Sequence, residues 1–138
     1  MLKKLIDTNI FIDRFEDPEL FRGIFQSPGL ALLSAVVLIE LRAGAHDRQS
    51  LNAVHQLQYF FRKTDRIVVP SVADYEKAGM IVAHLQKARG YEIRKSASIT
   101  NDCLIAASAK SAGAVVYTRN RKDFEAIQEV FDCRVEFV

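Results

Sequence analysis

The chain has 138 residues, of which 49% are hydrophobic and 26% charged, and its formal net charge is +2. This composition is typical of one globular domain and argues against a disordered chain, because there is ample apolar material to bury. Two cysteines without a Cys-x-x-Cys pair argue against a disulfide framework or a thiolate zinc site, and the small charge, taken alone, argues against a nucleic-acid partner.

The apolar pattern predicts strands and helices that alternate along the first half of the chain. Turn and capping residues such as Asp7, Ser34 and Gly44 mark the expected ends of these segments. The expected order is strand 3–6, helix 10–15, helix 18–26, strand 30–33, helix 35–43 and helix 47–62.

The second half continues the alternation, with Thr100 and Asn120 expected to cap helices. The expected order is strand 67–69, helix 71–89, helix 100–112, strand 114–117, helix 121–131 and strand 134–138. Continuous apolar strands separated by helices are typical of a parallel sheet covered on both faces, so we expect a single three-layer α/β/α domain over residues 1–138. No apolar run is long enough to span a membrane, and the sequence predicts a cytoplasmic, reduced protein.

Four acids stand in contexts that call for an explanation. Asp7 follows the first strand, at the end where parallel sheets bind ligands, although it could equally cap the next helix. Glu40 lies in a helix that is apolar almost all round, where a carboxylate loses hydration unless a cation or an active site compensates it. Asp102 falls in the first turn of a predicted helix, where the helix dipole alone would explain it. Asp123 fits the third position of a capping box that begins at Asn120.

Considered together, these acids indicate a cation site. Carboxylates gathered at one sheet edge raise one another's pKa values because their negative charges repel, and a divalent cation neutralises that repulsion. Oxygen donors select Mg²⁺ or Mn²⁺ over zinc. The three histidines are scattered on predicted helices and are interpreted as ordinary helix residues.

Four segments resemble the PIN-domain ribonucleases, and in particular the VapC-like toxins of bacterial and archaeal toxin–antitoxin pairs. In chain order they are residues 5–9, 34–44, 101–107 and 116–124. The resemblance implies a PIN-like five-stranded parallel sheet in the order 3-2-1-4-5, with Asp7, Glu40 and Asp102 as metal-site acids. Asn120 stands where many members carry a further acid, which makes Asp123 the candidate for a fourth catalytic acid. The residues expected to support these acids are Thr8, Asn9, Ser34, Thr118 and Asn120.

The implied activity is endonucleolytic hydrolysis of RNA with Mg²⁺ or Mn²⁺, in which activated water attacks the phosphodiester and leaves a 5′-phosphate. Basic residues beside the motifs are expected to contact RNA phosphates. They are Arg94, Lys95, Arg119, Arg121 and Lys122. With four of the 17 acids assigned to a cation site, the rest of the chain is basic, so the net charge no longer argues against nucleic acid.

Aromatic residues cluster at 11–25 and 59–61, and most of them are expected in the core. Short helices this apolar could also leave a groove open. The resemblance implies that a VapB-like antitoxin docks there and that a homodimer forms through another face. The alternatives are a housekeeping PIN nuclease in RNA processing and a non-catalytic nucleic-acid or protein-binding module, which would neither bind Mg²⁺ nor cleave RNA.

Overall fold

The computed structural model describes residues 1–91 and 97–138, which form alternating strands and helices. The strands are β1 (Lys3–Ile6), β2 (Leu30–Ser34), β3 (Ile67–Val68), β4 (Ala114–Thr118) and β5 (Val135–Phe137). The helices are α1 (Thr8–Glu16), α2 (Arg22–Gln26), α3 (Ala35–Gly44), α4 (Arg48–Lys63), α5 (Val72–Arg89), α6 (Ala97–Ser111) and α7 (Arg121–Val130). Within this described part, no helix is long and apolar enough to cross a membrane.

The strands form one parallel sheet in the order β3-β2-β1-β4-β5, which confirms the predicted α/β class and strand order. β1 is central, with Leu5 beside Leu32 of β2 and Val116 of β4. Parallel strands end at the same edge of a sheet, so the residues that follow β1 and β4 become neighbours. Accordingly, the Asp7 backbone N–H donates to the Tyr117 carbonyl at 2.9 Å.

The predicted helix 18–26 is wrong in its first half, because the chain turns at residues 18–21 and becomes helical only at α2. The Asp17 carboxylate accepts the Glu19 backbone N–H at 3.1 Å, a local bond that competes with helix formation. Phe21 then adopts a left-handed backbone with φ 56°. Because of these two features the helix begins only at Arg22, although Pro18 is a residue favoured in a first helical turn.

Two further helices differ from their predictions. α6 already includes Ala97, so Thr100 lies inside the helix and does not cap it, and Asp102 lies beyond the first turn. The helix dipole therefore does not explain Asp102, since its effect is confined to the terminal turn. α3 is not buried all round, because Ile39 is 66% exposed while Val36, Val37 and Leu41 face the core.

A buried lysine anchors the short helix α2 to the central strand. Lys4 is 1% exposed, and its ammonium donates to the Ile24 carbonyl at 2.7 Å and to the carbonyl and hydroxyl of Ser27. Gly29 lies against this side chain with φ 123°, and a Cβ there would come within 2.9 Å of the lysine Cε. The close approach and the positive φ both require glycine at this position.

Replacement of Lys4 by Met is expected to lower the free energy of unfolding by about 1–3 kcal/mol, because the hydrogen bonds that the buried ammonium donates to Ile24 and Ser27 are lost. Urea denaturation at neutral pH measures the change. Lys3→Met is the matched control, since this neighbouring lysine is exposed, and its effect should stay within about 0.5 kcal/mol. Equal unfolding midpoints for the two variants would show that the buried ammonium does not stabilise the fold.

Candidate functional site

Asp7 is the buried centre of the site and is held entirely by neutral donors among the described residues. It caps α1, with Oδ1 accepting the Thr8 backbone N–H at 2.8 Å. Its Oδ2 accepts the Thr118 hydroxyl at 2.6 Å and the Asn9 amide at 3.4 Å. The two interpretations of Asp7, helix cap and site acid, are therefore compatible, because each oxygen serves a different contact.

Glu40 reaches the same edge of the sheet from α3. The Thr8 hydroxyl donates to Glu40 Oε1 at 2.9 Å, so the residue after Asp7 joins the two acids. Ser34 caps α3 by accepting the Val36 backbone N–H at 3.1 Å, and it is fully buried. Ser34 thus orients the helix that carries Glu40, while Glu40 itself is only half-buried.

Asp102 and Asp123 share one amide donor. The Asn120 Nδ2 donates to Asp102 Oδ2 at 2.9 Å and to Asp123 Oδ2 at 3.1 Å. Asn120 also caps α7 as predicted, because its Oδ1 accepts the Asp123 backbone N–H at 3.4 Å. The reciprocal arm of a capping box is absent from these described residues, since the Asn120 N–H donates to the Thr118 hydroxyl instead.

The electrostatics of the site follow from burial and from mutual repulsion. Burial raises the pKa of Asp7 despite its three hydrogen bonds, and burial and the neighbouring Asp7 raise the pKa of Glu40. Burial, followed by the charges of Asp7, Asp123 and Glu40, raises the pKa of Asp102 to about 9. The acids are therefore close enough to oppose one another's ionisation, as expected from the sequence for carboxylates gathered at one sheet edge.

The donor set fits a hard divalent cation. Asp7 and Asp102 are 4% and 5% exposed, and within residues 1–91 and 97–138 no lysine, arginine or histidine forms an ion pair with them. Among the same residues, no group of three or more His, Cys, Asp or Glu side chains is placed so as to hold a metal ion, so the protein provides no complete cage within them. Mg²⁺ rarely needs such a cage, because it keeps several waters and is commonly bound by one or two carboxylates together with substrate phosphates.

The predicted basic residues are placed unevenly around the site. Arg119 lies between Thr118 and Asn120, and its guanidinium pairs with Asp13 of α1. Arg121 pairs with Glu125 at 2.8 Å, and Lys122 is exposed at the start of α7. Arg94 and Lys95 lie outside the described residues, so the structure does not test their predicted role.

Sequence reasoning missed two residues that contact the acids. Tyr91 donates its hydroxyl to Asp123 Oδ1 at 2.7 Å, and burial and this carboxylate raise its pKa to about 12, so the hydroxyl keeps its proton at neutral pH. Asn101, which neighbours Asp102, provides a side-chain hydrogen bond that lowers the pKa of Glu40. Asn101 belongs to a recognised motif and could have been found, whereas a lone tyrosine after a helix carries no sequence signal.

Comparison with known proteins gives one family and a consistent group of solved structures. A family model described as the PIN domain matches residues 4–130. The chain is 27% identical to a chain of FitAcB from Neisseria gonorrhoeae, with 98% of this chain and 96% of that chain covered and a TM-score of 0.69. It is 26% identical to a chain of VapBC-1 from nontypeable Haemophilus influenzae, with 99% and 98% covered and a TM-score of 0.70.

A chain of VapBC2 from Rickettsia felis, in a complex bound to a promoter DNA fragment, shares the fold with a TM-score of 0.73 at 22% identity, covering 99% of both chains. No curated protein sequence matched the chain significantly.

The raised pKa of Asp102 predicts that the metal-free site destabilises the fold at neutral and alkaline pH. The folded chain holds this proton up to about pH 9 and the unfolded chain releases it near 3.8, so the free energy of unfolding falls as the pH rises between these values. Asp102→Asn removes this dependence and should raise the free energy of unfolding at pH 8 by about 0.5–2 kcal/mol. Chemical denaturation in EDTA at several pH values measures it.

The control for this experiment is Asp132→Asn, which changes an exposed aspartate and should leave the pH dependence intact. A wild-type stability that does not decline between pH 5 and pH 9, or an Asp102→Asn variant no more stable than the control, would contradict the interpretation.

Proposed function

The chain belongs to the PIN-domain family, and we propose that it is a divalent-metal-dependent endoribonuclease that acts as the toxin of a VapBC-type toxin–antitoxin pair. The observation that carries the nuclease proposal is the burial of Asp7 and Asp102 at one sheet edge among neutral donors. When both acids are ionised, they place negative charge at one point with no protein cation to neutralise it among the described residues, which suits a site for Mg²⁺ or Mn²⁺.

In this proposal Asp7 and Asp102 hold the cation and Glu40 adds a third carboxylate at the more exposed side of the site. When bound, Mg²⁺ or Mn²⁺ supplies Lewis-acid chemistry, which neutralises phosphate charge and makes water easier to deprotonate. Thr118, Thr8 and Asn120 keep the carboxylates oriented through the hydrogen bonds described above. Asp123 is proposed as the fourth catalytic acid, beside Asn120.

Hydrolysis by water, with no covalent intermediate, agrees with the residues at the site. Among the described residues, no cysteine or histidine forms a hydrogen bond with the acids, and the hydroxyls of Thr8 and Thr118 both donate to carboxylates. His84, for example, lies on α5 and contacts the Met80 carbonyl of its own helix. Burial and the charges of Asp102 and Asp123 raise the pKa of the neighbouring Cys103 thiol to about 12, so it is not a thiolate nucleophile at neutral pH.

RNA is proposed to reach the acids along the loop between β4 and α7. Arg119, Arg121 and Lys122 are exposed at this loop and would contact phosphates. Arg94 and Lys95, which lie outside the described residues, keep their proposed role as phosphate contacts. The pairing of Arg119 with Asp13 does not prevent this role, because an exposed ion pair contributes little and exchanges readily for a phosphate.

A groove between α1, α2 and α4 is the proposed docking site for a VapB-like antitoxin. Its volume is about 480 Å³, and its lining includes Phe11, Phe15, Phe25, Phe60 and Phe61 together with Arg14 and Arg66. Each arginine lies over a phenylalanine ring, at 4.3 Å for Arg14 and 5.9 Å for Arg66. An amphipathic helix with apolar anchors and acidic flanks would complement this surface. The VapBC-1 and FitAcB neighbours are themselves named as complexes.

A second apolar surface, between α3 and α5, is the proposed homodimer face. It surrounds a cavity of about 610 Å³ that reaches Asn101 of α6. Three of the side chains that line it are large, hydrophobic and exposed, namely Ile39, Val69 and Tyr75. Exposed apolar residues gathered on one face indicate a protein contact. A twofold contact here would bring two acidic sites onto one assembly.

Asp7→Asn and Asp102→Asn are each expected to abolish RNA cleavage in Mg²⁺ or Mn²⁺, a loss larger than the roughly 100-fold that removing an outer partner of a metal ligand costs. Asparagine keeps one acceptor oxygen, so at position 7 it can still cap α1 and the fold should persist, although the Thr118 hydroxyl then loses its acceptor. The measurement is cleavage of purified RNA, with 5′-phosphate ends mapped in cells after brief induction.

Asp132→Asn should cleave like the wild type, and EDTA should stop both proteins. Wild-type activity in either site variant, or unchanged activity in EDTA, would refute the proposed site. The absence of both cation binding and cleavage would favour the non-catalytic alternative.

The two apolar surfaces are expected to respond to different substitutions. Phe60→Glu should abolish the complex with the small protein encoded by the adjoining reading frame and leave the dimer intact, because a charge then enters the aromatic groove. Tyr75→Glu should abolish the dimer and leave the complex with that small protein intact. Size-exclusion chromatography with light scattering on co-expressed proteins distinguishes them, and each variant is the control for the other. Loss of both assemblies in one variant, or of neither, would contradict the assignment.

A further inference from the structure

The turn at the end of α5 brings Tyr91 back towards the acidic site. Gly90 ends the helix with φ 67°, and its backbone N–H returns to the Leu85 carbonyl. A Cβ at Gly90 would meet nothing within 4 Å, so the positive φ rather than space favours glycine there. The Tyr91 N–H follows to the same carbonyl at 3.4 Å, which folds the chain back over α5.

Tyr91 is fixed at both ends of its side chain. Its ring packs against the hydrophobic core, and its hydroxyl donates to Asp123 Oδ1 at 2.7 Å. The adjacent Arg89 forms an ion pair with Glu129, so two consecutive side-chain contacts join the end of α5 to α7. The contact between Arg89 and Glu129 is an exposed ion pair, whereas the contact of Tyr91 is a hydrogen bond to Asp123, an acid of the site.

The hydroxyl begins a chain of contacts that leads to Asp102. Because Tyr91 engages Oδ1 of Asp123, the Oδ2 of that carboxylate is directed at the Asn120 amide. The same amide nitrogen donates to Asp102 Oδ2, so a single NH₂ group separates the two acids. Without the hydroxyl, the Asp123 carboxylate is free to rotate and to compete with Asp102 for that amide.

We infer that Tyr91 is a positioning residue of the cation site, which fixes the Asp123 carboxylate and, through the Asn120 amide, the orientation of Asp102. This inference rests on the proposed metal-dependent function, because it assigns a residue that prepares the same site. Tyr91 itself touches neither the cation-binding oxygens of Asp7 nor those of Asp102 among the contacts described.

The test measures Mn²⁺ affinity by calorimetry in the absence of RNA. Tyr91→Phe removes the hydroxyl and keeps the ring, and it should weaken Mn²⁺ binding about 10-fold, as is typical for partners that orient metal ligands. In cleavage assays kcat should fall by a similar factor while KM for RNA changes less than twofold, since no RNA contact is lost. Thermal melting in EDTA verifies that the variants are folded.

A double-mutant cycle with Asp123→Ala separates positioning from packing. If Tyr91 acts through Asp123, adding Tyr91→Phe to Asp123→Ala should cause no further loss of Mn²⁺ affinity. Arg89→Gln is the matched control, because it breaks the other contact between α5 and α7 and should leave Mn²⁺ affinity unchanged.

An unchanged Mn²⁺ affinity in Tyr91→Phe, an equal loss in Arg89→Gln, or a full second loss in the Asp123→Ala background would each overturn the inference and leave the proposed function standing. A wild-type protein that binds no Mn²⁺ would overturn both.

Discussion

Asp7 and Asp102 are brought together at the carboxyl edge of a parallel sheet, almost completely buried, and the donors that contact them in the described chain are uncharged. Burial raises the pKa of both acids, and each further carboxylate opposes the ionisation of Asp102. The surrounding elements are arranged to maintain this unfavourable grouping. α1 begins at the cap that Asp7 provides, β4 ends at the threonine that binds it, and α7 begins at the asparagine that links Asp102 to Asp123.

Neutral donors orient the carboxylates without cancelling their charge. The buried cation of the domain shows the contrast, because Lys4 lies three residues before Asp7 on the same strand and yet donates to carbonyl and hydroxyl oxygens at the α2 turn. In the described residues the central strand therefore keeps its buried positive and negative groups apart. An ion pair between them would have neutralised the charge that a cation requires.

The two apolar surfaces are likewise separated from each other. The aromatic groove between α1, α2 and α4 and the apolar face between α3 and α5 lie on different helices, although α3 carries both Glu40 and the exposed Ile39. α1 and α3, which position acids of the site, therefore also carry apolar side chains that line these two surfaces. Partners bound at the two proposed surfaces would contact helices that also position the acids.

Local pattern was sufficient for much of the fold, because each signal depends on neighbouring residues. Short apolar runs located the strands, Ser71 and Gly90 marked both ends of α5, and the resemblance supplied the strand order. The start of α6 was misplaced because Thr100 is an acceptable cap, and the helix beginning at Pro18 was placed too early because Asp17 forms a competing turn.

Tertiary structure alone decided how the acids relate to one another. Asp7, Glu40, Asp102 and Asp123 could be selected from the sequence, but Thr8 as the link to Glu40 and Asn120 as the shared donor depend on contacts across 18 to 32 residues. Tyr91 could not be found at all, because its contact with Asp123 arises from the way α5 ends against α7. The sequence determined which acids are candidates for the site, and packing determined their orientation and the pKa shifts of Asp7, Glu40 and Asp102, since burial and distance are properties of the folded chain.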